Sequence, residues 1–236
     1  MNKFFASCLF FLTGTMHAGA ADDSMFKSAY AAHDVALDTD SQSAFWQGAS
    51  PVYAEIDIMG NPEPAYRTKI SSRWTKKYLY LLYECPYEEL NLKPSPNTVD
   101  ETFELWNWDV AEIFIGTDFK NIRRYKEFEL SPQREWIDLD VNLDLPDHTV
   151  GWKWNSGFQV AARIDADKKI WYGAMKIPFK ALDGRRPVAG KVFRANMFRS
   201  QGPPGHIKQI VWKAPMKKTF HVPENFGQLI LVKKNE

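Results

Sequence analysis

The sequence has few cysteines, almost no net charge and no long hydrophobic run. Two cysteines, Cys8 and Cys85, occur in 236 residues, and the formal net charge is +1. Lys and Arg form no basic stripe, so a nucleic-acid partner is not expected. Beyond the first residues, no stretch is apolar over the roughly 20 residues that a transmembrane helix requires. A membrane span is therefore not expected.

The first 20 residues have the features of a secretory signal peptide. Lys3 supplies a positive charge, residues 4–12 form a short apolar run, and Ala18-Gly19-Ala20 fits a small-x-small cleavage site. Cleavage near Ala20 predicts a secreted or periplasmic protein. Cys85 is then the only remaining cysteine, which excludes an internal disulfide and predicts a buried thiol in a sizeable core.

Short segments typical of β-strands recur along the chain, with turn signals about every eight to twelve residues and little helical periodicity. Residues 21–34 are a lead-in, predicted to be a short helix or disordered. The predicted strands then cover 68–72, 78–84, 110–116, 125–130, 136–141, 158–164, 170–177, 192–198 and 228–232. This pattern predicts an all-β fold, a single antiparallel β-sandwich domain over residues 35–232.

Residues 106–116 form the most informative stretch. Trp106 and Trp108 open it, and Asp109 and Glu112 interrupt the apolar run that follows. A carboxylate inside an apolar strand costs free energy unless it is solvated or paired. Sugar rings stack on aromatic faces while their hydroxyls bond carboxylates, so the stretch suits a carbohydrate site. It equally suits buried tryptophans beside a solvated Glu112, and Trp108 is left unassigned.

Two acidic residues near residue 40 also allow two interpretations. The side chains of Asp38 and Asp40 can bond their own backbone in a turn. Carboxylate oxygens are also the ligands that calcium prefers, which makes calcium a candidate cofactor, although the full spacing of a known calcium loop is absent.

An ordered set of landmarks resembles the family 9 carbohydrate-binding modules. An acidic turn precedes Trp46, a Tyr-Leu-Tyr-Leu strand occupies 78–81, and Trp106 precedes an Asp-x-x-Glu-Ile-Phe-Ile signature at 109–115. The strand 125–130 follows, and then Trp171, Ile177-Pro178-Phe179 and a closing Phe-Gly-x-Leu at 226–229. The resemblance implies the β-sandwich that this family shares with immunoglobulin-like, DOMON-type domains.

The resemblance also implies a site, in which two tryptophans clamp a sugar ring while Glu, Arg and amide side chains bond its hydroxyls. The matching residues are Trp106, Glu112, Glu127, Glu129, Arg199, Gln209 and, as second clamp, Trp212. The chain departs from the family where Ala174 or Met175 stands in place of a Glu. The implied function is non-catalytic binding of xylan- or glucan-type polysaccharide during its catabolism. Such modules usually accompany a glycoside hydrolase, for which the sandwich leaves no room in this chain.

Two other functions remain open. A glycoside hydrolase needs a pair of carboxylates, and the candidates are Glu112, Glu127, Glu129, Asp138 and Asp140. Some DOMON relatives bind haem through Met and His, so a secreted electron-transfer domain is the other alternative. Its candidate ligands are Met175, Met197, His206 and His221, which could equally be core methionines and loop histidines. No Ser-His-Asp or zinc-ligand spacing is present.

Overall fold

The computed structural model describes residues 25–145 and 152–233, and the predicted signal peptide lies outside these ranges. In this part of the chain the fold is all-β, as predicted, with only short 3-10 turns between strands. Every predicted strand coincides with an observed one. Within the described residues no helix has the length and apolarity needed to cross a bilayer.

The strands are β1 Met25–Tyr30, β2 Val52–Ala54, β3 Ile56–Asp57, β4 Thr68–Trp74, β5 Tyr78–Pro86, β6 Val110–Gly116, β7 Arg124–Leu130, β8 Trp136–Asn142, β9 Gln159–Asp165, β10 Ile170–Pro178, β11 Val192–Gln201, β12 Lys208–Val211 and β13 Gly227–Val232.

The strands form two layers joined at one side. The front layer has the order β8-β7-β6-β11-β13, with β12 also paired to β11, and the rear layer has the order β4-β5-β10-β9. Strand β1 connects them, because it pairs with both β13 and β4. Both of these pairings are parallel, so the expectation of a wholly antiparallel sheet is wrong at β1. An immunoglobulin-like or DOMON-like arrangement in detail stays a prediction.

Strand β1 also corrects the predicted lead-in. Residues 25–30 were expected to be helical or disordered, yet they pair with β13 from Met25↔Gln228 to Ala29↔Val232. Phe26 is fully buried, and its ring lies 6.3 Å from that of Trp212. A six-residue segment, Met-Phe-Lys-Ser-Ala-Tyr, is too short to show a clear alternation of apolar and polar residues. Its strand conformation depends on pairing with β13, whose paired residues are 203 positions further along the chain, and the folded unit begins before residue 35.

The two layers pack face to face around one apolar core. Ile113 and Phe128 of the front layer and Leu81 of the rear layer belong to it. Gly173 of β10 faces the front layer closely, since a Cβ at this position would lie 2.7 Å from the Trp171 ring and 2.9 Å from Leu130 Cδ1 of the front layer. A larger residue at position 173 would therefore require the side chain of Trp171 or Leu130 to shift. Cys85 is buried in this core as predicted, and burial raises its pKa to about 12.

The front layer is apolar on both faces. Alternation along β6 places Ile113 and Ile115 in the core between the layers and Phe114 on the opposite, outer face. That outer face is covered by side chains from loops, among them Leu105, Trp152 and Phe220. A second apolar cluster therefore lies outside the sandwich, and polar residues on the outer face are shielded from bulk water.

Removal of the Phe26 side chain should destabilise the whole fold. Deleting a buried phenyl ring leaves a cavity in the core. Phe26→Ala should therefore lower the free energy of unfolding, measured by urea titration, by about 3–5 kcal/mol. Phe119 is half exposed, so Phe119→Ala is a matched control expected to change stability by less than about 1 kcal/mol. Equal effects of the two variants would contradict a structural role for β1.

Candidate functional site

A cavity of about 250 Å³ opens on the outer face of the front layer. Strands β6, β7, β8, β11 and β12 form its floor, and two loops form its walls. Its lining combines aromatic and apolar side chains with several carboxylates, hydroxyls and one amide. The lining residues are Trp106, Glu112, Phe114, Glu127, Glu129, Leu139, Ser200, Gln209, Lys218, Thr219, Phe220 and His221.

One wall is the 3-10 turn that carries Trp106. Leu105, beside it, is fully buried in the outer apolar cluster and anchors the turn. The preceding loop is held by Asn91, whose side-chain amide donates to the carbonyl of Asn107 at 3.2 Å. The ring of Phe103 meets the indole of Trp106 edge-on, with 5.3 Å between centroids. Trp106 is thus held at the cavity while part of it stays exposed.

The opposite wall is the segment from Lys218 to His221. Phe220 stacks on Phe198 of β11, with 4.4 Å between centroids and 17° between planes. His221 stacks on Phe114, and its Nδ1 lies 2.7 Å from the hydroxyl of Tyr125. These contacts fix the wall to the floor of the sheet. The cavity is therefore a preformed feature of the fold.

Three glutamates converge at the centre of the floor. Glu112 of β6 is directly opposite Glu129 of β7, and Glu127 lies two residues along the same face. One carboxylate oxygen from each lies within 4.8 Å of the others. The three side chains are 2%, 3% and 0% exposed for Glu112, Glu127 and Glu129. The hydroxyl of Tyr83, from the rear layer, donates to the backbone carbonyl of Glu112 at 2.9 Å and so helps to fix this strand.

No described residue donates a hydrogen bond to Glu112 Oε1, Glu127 Oε2 or either carboxylate oxygen of Glu129. Burial therefore raises the pKa values of the three carboxyls, and among the described residues only a hydrogen bond between Glu127 and Glu129 opposes this effect, at Glu127. Burial raises the pKa of Glu127 to about 7. It raises the pKa values of Glu112 and Glu129 well above the usual range, and the charge of neighbouring glutamates raises them further. At neutral pH the cluster consequently holds protons that carboxyl groups on a protein surface would have lost.

This arrangement suits a small ligand that has both apolar and polar faces. Ionised carboxylates accept hydrogen bonds, and protonated carboxyls can also donate them. Trp106 and Phe220 supply flat apolar surface at the same cavity. Concave sites of this kind, with a few converging polar groups, are characteristic of small-molecule binding.

Comparison with known proteins identifies the family. Residues 37–234 match the family described as carbohydrate family 9 binding domain-like. The chain belongs to this family. The predicted resemblance to family 9 modules is thereby confirmed, over nearly the same residues from which it was inferred.

Individual relatives extend the comparison. A protein named "Extracellular protein" from Arthroderma benhamiae is 26% identical over 183 residues, which are 72% of this chain and 81% of that protein. A family 9 module from Caldicellulosiruptor kristjanssonii in complex with cellotriose has a TM-score of 0.64 at 14% identity, over 90% of this chain and 95% of that one. Its structure in complex with glucose has a TM-score of 0.62 at 14% identity, over 90% and 97% of the two chains. These structural similarities concern the fold.

The structure brings most of the predicted site residues of this family 9 chain together. Trp106, Glu112, Glu127, Glu129 and Gln209 all line the cavity. The expected common face of Glu127 and Glu129 is observed as well, because both point outward while Phe128 between them points into the core. Trp108 is partly exposed and is not among the lining residues.

Arg199 and Trp212 were expected in the site, and the structure corrects both positions. Arg199 is fully buried on the inner face of β11, where its guanidinium donates to Thr68 Oγ1 at 3.2 Å and Gln201 Oε1 at 3.0 Å. Trp212 is 3% exposed and packs in the core between the layers beside Phe26. The thickness of the front sheet separates both side chains from the cavity, so neither can contact a ligand there.

The remaining candidates lie elsewhere. Asp38 Oδ1 accepts from the backbone N of Asp40 at 2.7 Å, and Asp40 Oδ1 accepts from that of Gln42 at 2.9 Å, which is the predicted turn. Asp138 accepts two hydrogen bonds from Ser156, and Asp140 pairs with Lys126 at 2.6 Å. Neither is among the cavity-lining residues.

The four candidate haem ligands are not brought together. Met175 and Met197 are buried in the core between the layers. His206 is exposed, and His221 lies on the outer face of the front layer. The sheet itself separates the methionines from His221, so the structure offers no haem site built from these residues.

Several lining residues were missed by sequence reasoning. Phe114, Leu139 and Ser200 follow from strand alternation, since each shares a face with a predicted site residue or with its strand neighbours. The wall formed by Lys218, Thr219, Phe220 and His221 has no regular periodicity. It could not have been assigned to the cavity without the tertiary stacking that holds it.

The buried glutamates should make the protein less stable as pH rises. Their pKa values are raised on folding, so the folded state is favoured below about pH 4.5, where both states are protonated, and loses stability as pH rises through about 7. Each unit of raised pKa corresponds to about 1.4 kcal/mol. Glu129→Gln should therefore increase the free energy of unfolding at pH 8 by at least about 1 kcal/mol, and by less at pH 4.5.

Urea titrations at both pH values in the presence of EDTA would measure this. Glu135→Gln is a matched control, because Glu135 is also fully buried but its Oε1 accepts hydrogen bonds from Asn97 N and Thr102 Oγ1. That variant should gain no stability at pH 8. A wild-type stability that is constant between pH 4.5 and 8 would contradict the proposed burial of the three carboxyls.

Proposed function

We propose that this chain is an exported, non-catalytic carbohydrate-binding protein, and that the cavity on the outer face of the front layer is its binding site. The observation that carries the proposal is the convergence of Trp106, Glu112, Glu127 and Glu129 on one cavity of about 250 Å³. The family to which the chain belongs gives independent support, because it is a carbohydrate-binding family.

The proposed ligand is an oligosaccharide end or a short segment of a glucan- or xylan-type chain. Two structures with the same fold are complexes with cellotriose and with glucose, a β-glucan fragment and its monomer. Support for export comes from the predicted signal peptide and from the relative named as an extracellular protein. A role in polysaccharide catabolism beside a separate glycoside hydrolase completes the proposal.

The side chains divide by role. Trp106 provides a flat surface on which the C–H groups of a sugar ring stack. The glutamates, together with Gln209 and Ser200, bond the ring hydroxyls. The second platform is the aromatic wall at Phe220 and His221, which takes the place expected for Trp212, since Trp212 is buried in the core. One exposed indole and one aromatic wall thus replace the pair of tryptophans that the family resemblance implies.

Removal of the Trp106 indole should abolish binding without unfolding the protein. Trp106 is only partly buried, and the stacking surface that it supplies is lost in Trp106→Ala. The affinity for cellotriose or xylotriose, measured by calorimetry, should fall at least about tenfold, equivalent to ~1.4 kcal/mol. The circular dichroism spectrum should not change.

Trp108→Ala is the matched control, because Trp108 is also partly exposed, two residues away, and does not line the cavity. Its affinity should equal that of the wild type. Unchanged affinity in Trp106→Ala would place the binding site elsewhere. Release of reducing sugars by the purified protein, lost in Glu112→Gln, would instead identify a glycoside hydrolase.

A further inference from the structure

The three glutamates at the floor of the cavity have a geometry that a sugar alone does not require. Each offers an oxygen that lies within 4.8 Å of the other two. Calcium binds oxygen ligands at about 2.3–2.6 Å, so oxygens on opposite sides of one ion are about 4.6–5.2 Å apart. The glutamate oxygens thus already lie within the span of a single calcium ion, and the strands that carry them need not move.

The lack of hydrogen-bond donors is a separate observation that points to a ligand. Buried carboxylates are normally paired with a cation or with donors. Both oxygens of Glu129 are fully buried and accept no hydrogen bond from a described residue, whereas Glu135, equally buried, accepts from Asn97 and Thr102 and lies 3.5 Å from Lys93 Nζ. The fold therefore provides donors and a cation for a buried glutamate at Glu135, whereas in the cavity the side-chain partner of Glu129 is another carboxyl group, that of Glu127.

Two further side chains that carry oxygen line the same cavity, those of Ser200 and Gln209. Ser200 is 4% exposed and lines the cavity, and no described residue hydrogen-bonds to its hydroxyl. Ser200 is opposite Gln209 in the β11–β12 pair, so the side-chain amide of Gln209 also reaches this cavity. Calcium takes six to eight oxygens. Three carboxylates and one hydroxyl leave positions open for water or for a ligand.

We propose that the cavity binds one divalent cation, of which calcium fits the oxygen ligands best, through Glu112, Glu127 and Glu129. The ion supplies a positive charge in direct contact with these carboxylates, whereas Lys218, which also lines the cavity, forms no ion pair with any of the three. Its open coordination positions face the cavity beside Trp106, where two adjacent hydroxyls of a sugar can bind to the metal. This second part rests on the proposed carbohydrate-binding function, whereas the cation site does not.

The cation site can be tested by calorimetric titration of CaCl₂ into full-length protein that has been freed of metal with EDTA. We expect one calcium per chain and a rise in the melting temperature on binding. Glu129→Gln keeps the shape of the side chain and removes one charge, so it should weaken calcium binding at least tenfold. Glu112→Gln should have the same effect. This second variant shows whether a loss of binding in Glu129→Gln comes from misfolding of that variant alone.

The control is Asp40→Asn, which alters the exposed acidic turn at Asp38 and Asp40 and leaves the cavity unchanged. Its calcium affinity should match that of the wild type. No calcium binding at millimolar concentration, or binding that survives both glutamate variants, would overturn the cation site. Binding of magnesium in preference to calcium would overturn the choice of ion.

Titration of cellotriose or xylotriose with calcium and with EDTA separates the two proposals. Affinity that is lost in EDTA and restored by calcium supports sugar coordination by the metal. Equal affinity in both buffers overturns the metal's part in sugar binding and leaves the proposed function intact. Calcium binding without any sugar binding would support the cation site and overturn the proposed carbohydrate-binding function.

Discussion

Three carboxyl groups are buried side by side on the outer face of one sheet, and the strands that carry them cannot move them into water. Glu112 and Glu129 are directly opposed in the β6–β7 ladder, and Glu127 follows on the same face. Their inward-facing neighbours, Ile113 and Phe128, are fully buried in the core between the layers. A shift of register by one residue would expose those apolar side chains, so the core fixes the position of the glutamates. The unfavourable burial of the acids is offset by apolar packing on both faces of the same strands.

The outer apolar cluster is what makes this face a site. On a sheet with one face in water, three glutamates on that face would be solvated and unremarkable. Here Leu105, Trp152 and Phe220 cover the outer face, and a cavity remains where the glutamates lie. The same loops that exclude water also bring Trp106 and His221 to the cavity. The same loop contacts therefore shield the outer face of the sheet from water and position the aromatic side chains of the cavity.

Strand alternation predicted the part of the site that lies on regular strands. It placed Glu127 and Glu129 on one face and Ile113 with Ile115 in the core, and the structure shows both. The same rule, carried further, excludes Arg199, which is two residues from Met197 of the core and therefore shares its face. Gln209 and Trp212 are three residues apart and so cannot face the same side of a regular strand. The family resemblance placed Arg199 and Trp212 in the site, whereas strand alternation places them on the opposite face, as the structure shows.

Other features depended on contacts that no local pattern reveals. Strand β1 owes its conformation to β13, and the wall at Phe220 and His221 owes its position to stacking on Phe198 and Phe114. The landmarks from Trp46 to Phe226 were nevertheless sufficient for the family, because they record the order of the strands. The positions of loop residues above the sheet required the tertiary structure.

The parallel pairing of β1 with β13 also bears on when the protein can fold. Strand β1 joins the two layers, and its partner is made more than 190 residues later. A nascent chain that lacks β13 can form the central hairpins, because β5 with β4 and β6 with β7 are neighbours in sequence. It cannot connect the two layers through β1 until synthesis has passed residue 232. Closure of the sandwich through β1 is therefore a late folding event of high contact order, which follows the formation of the local hairpins.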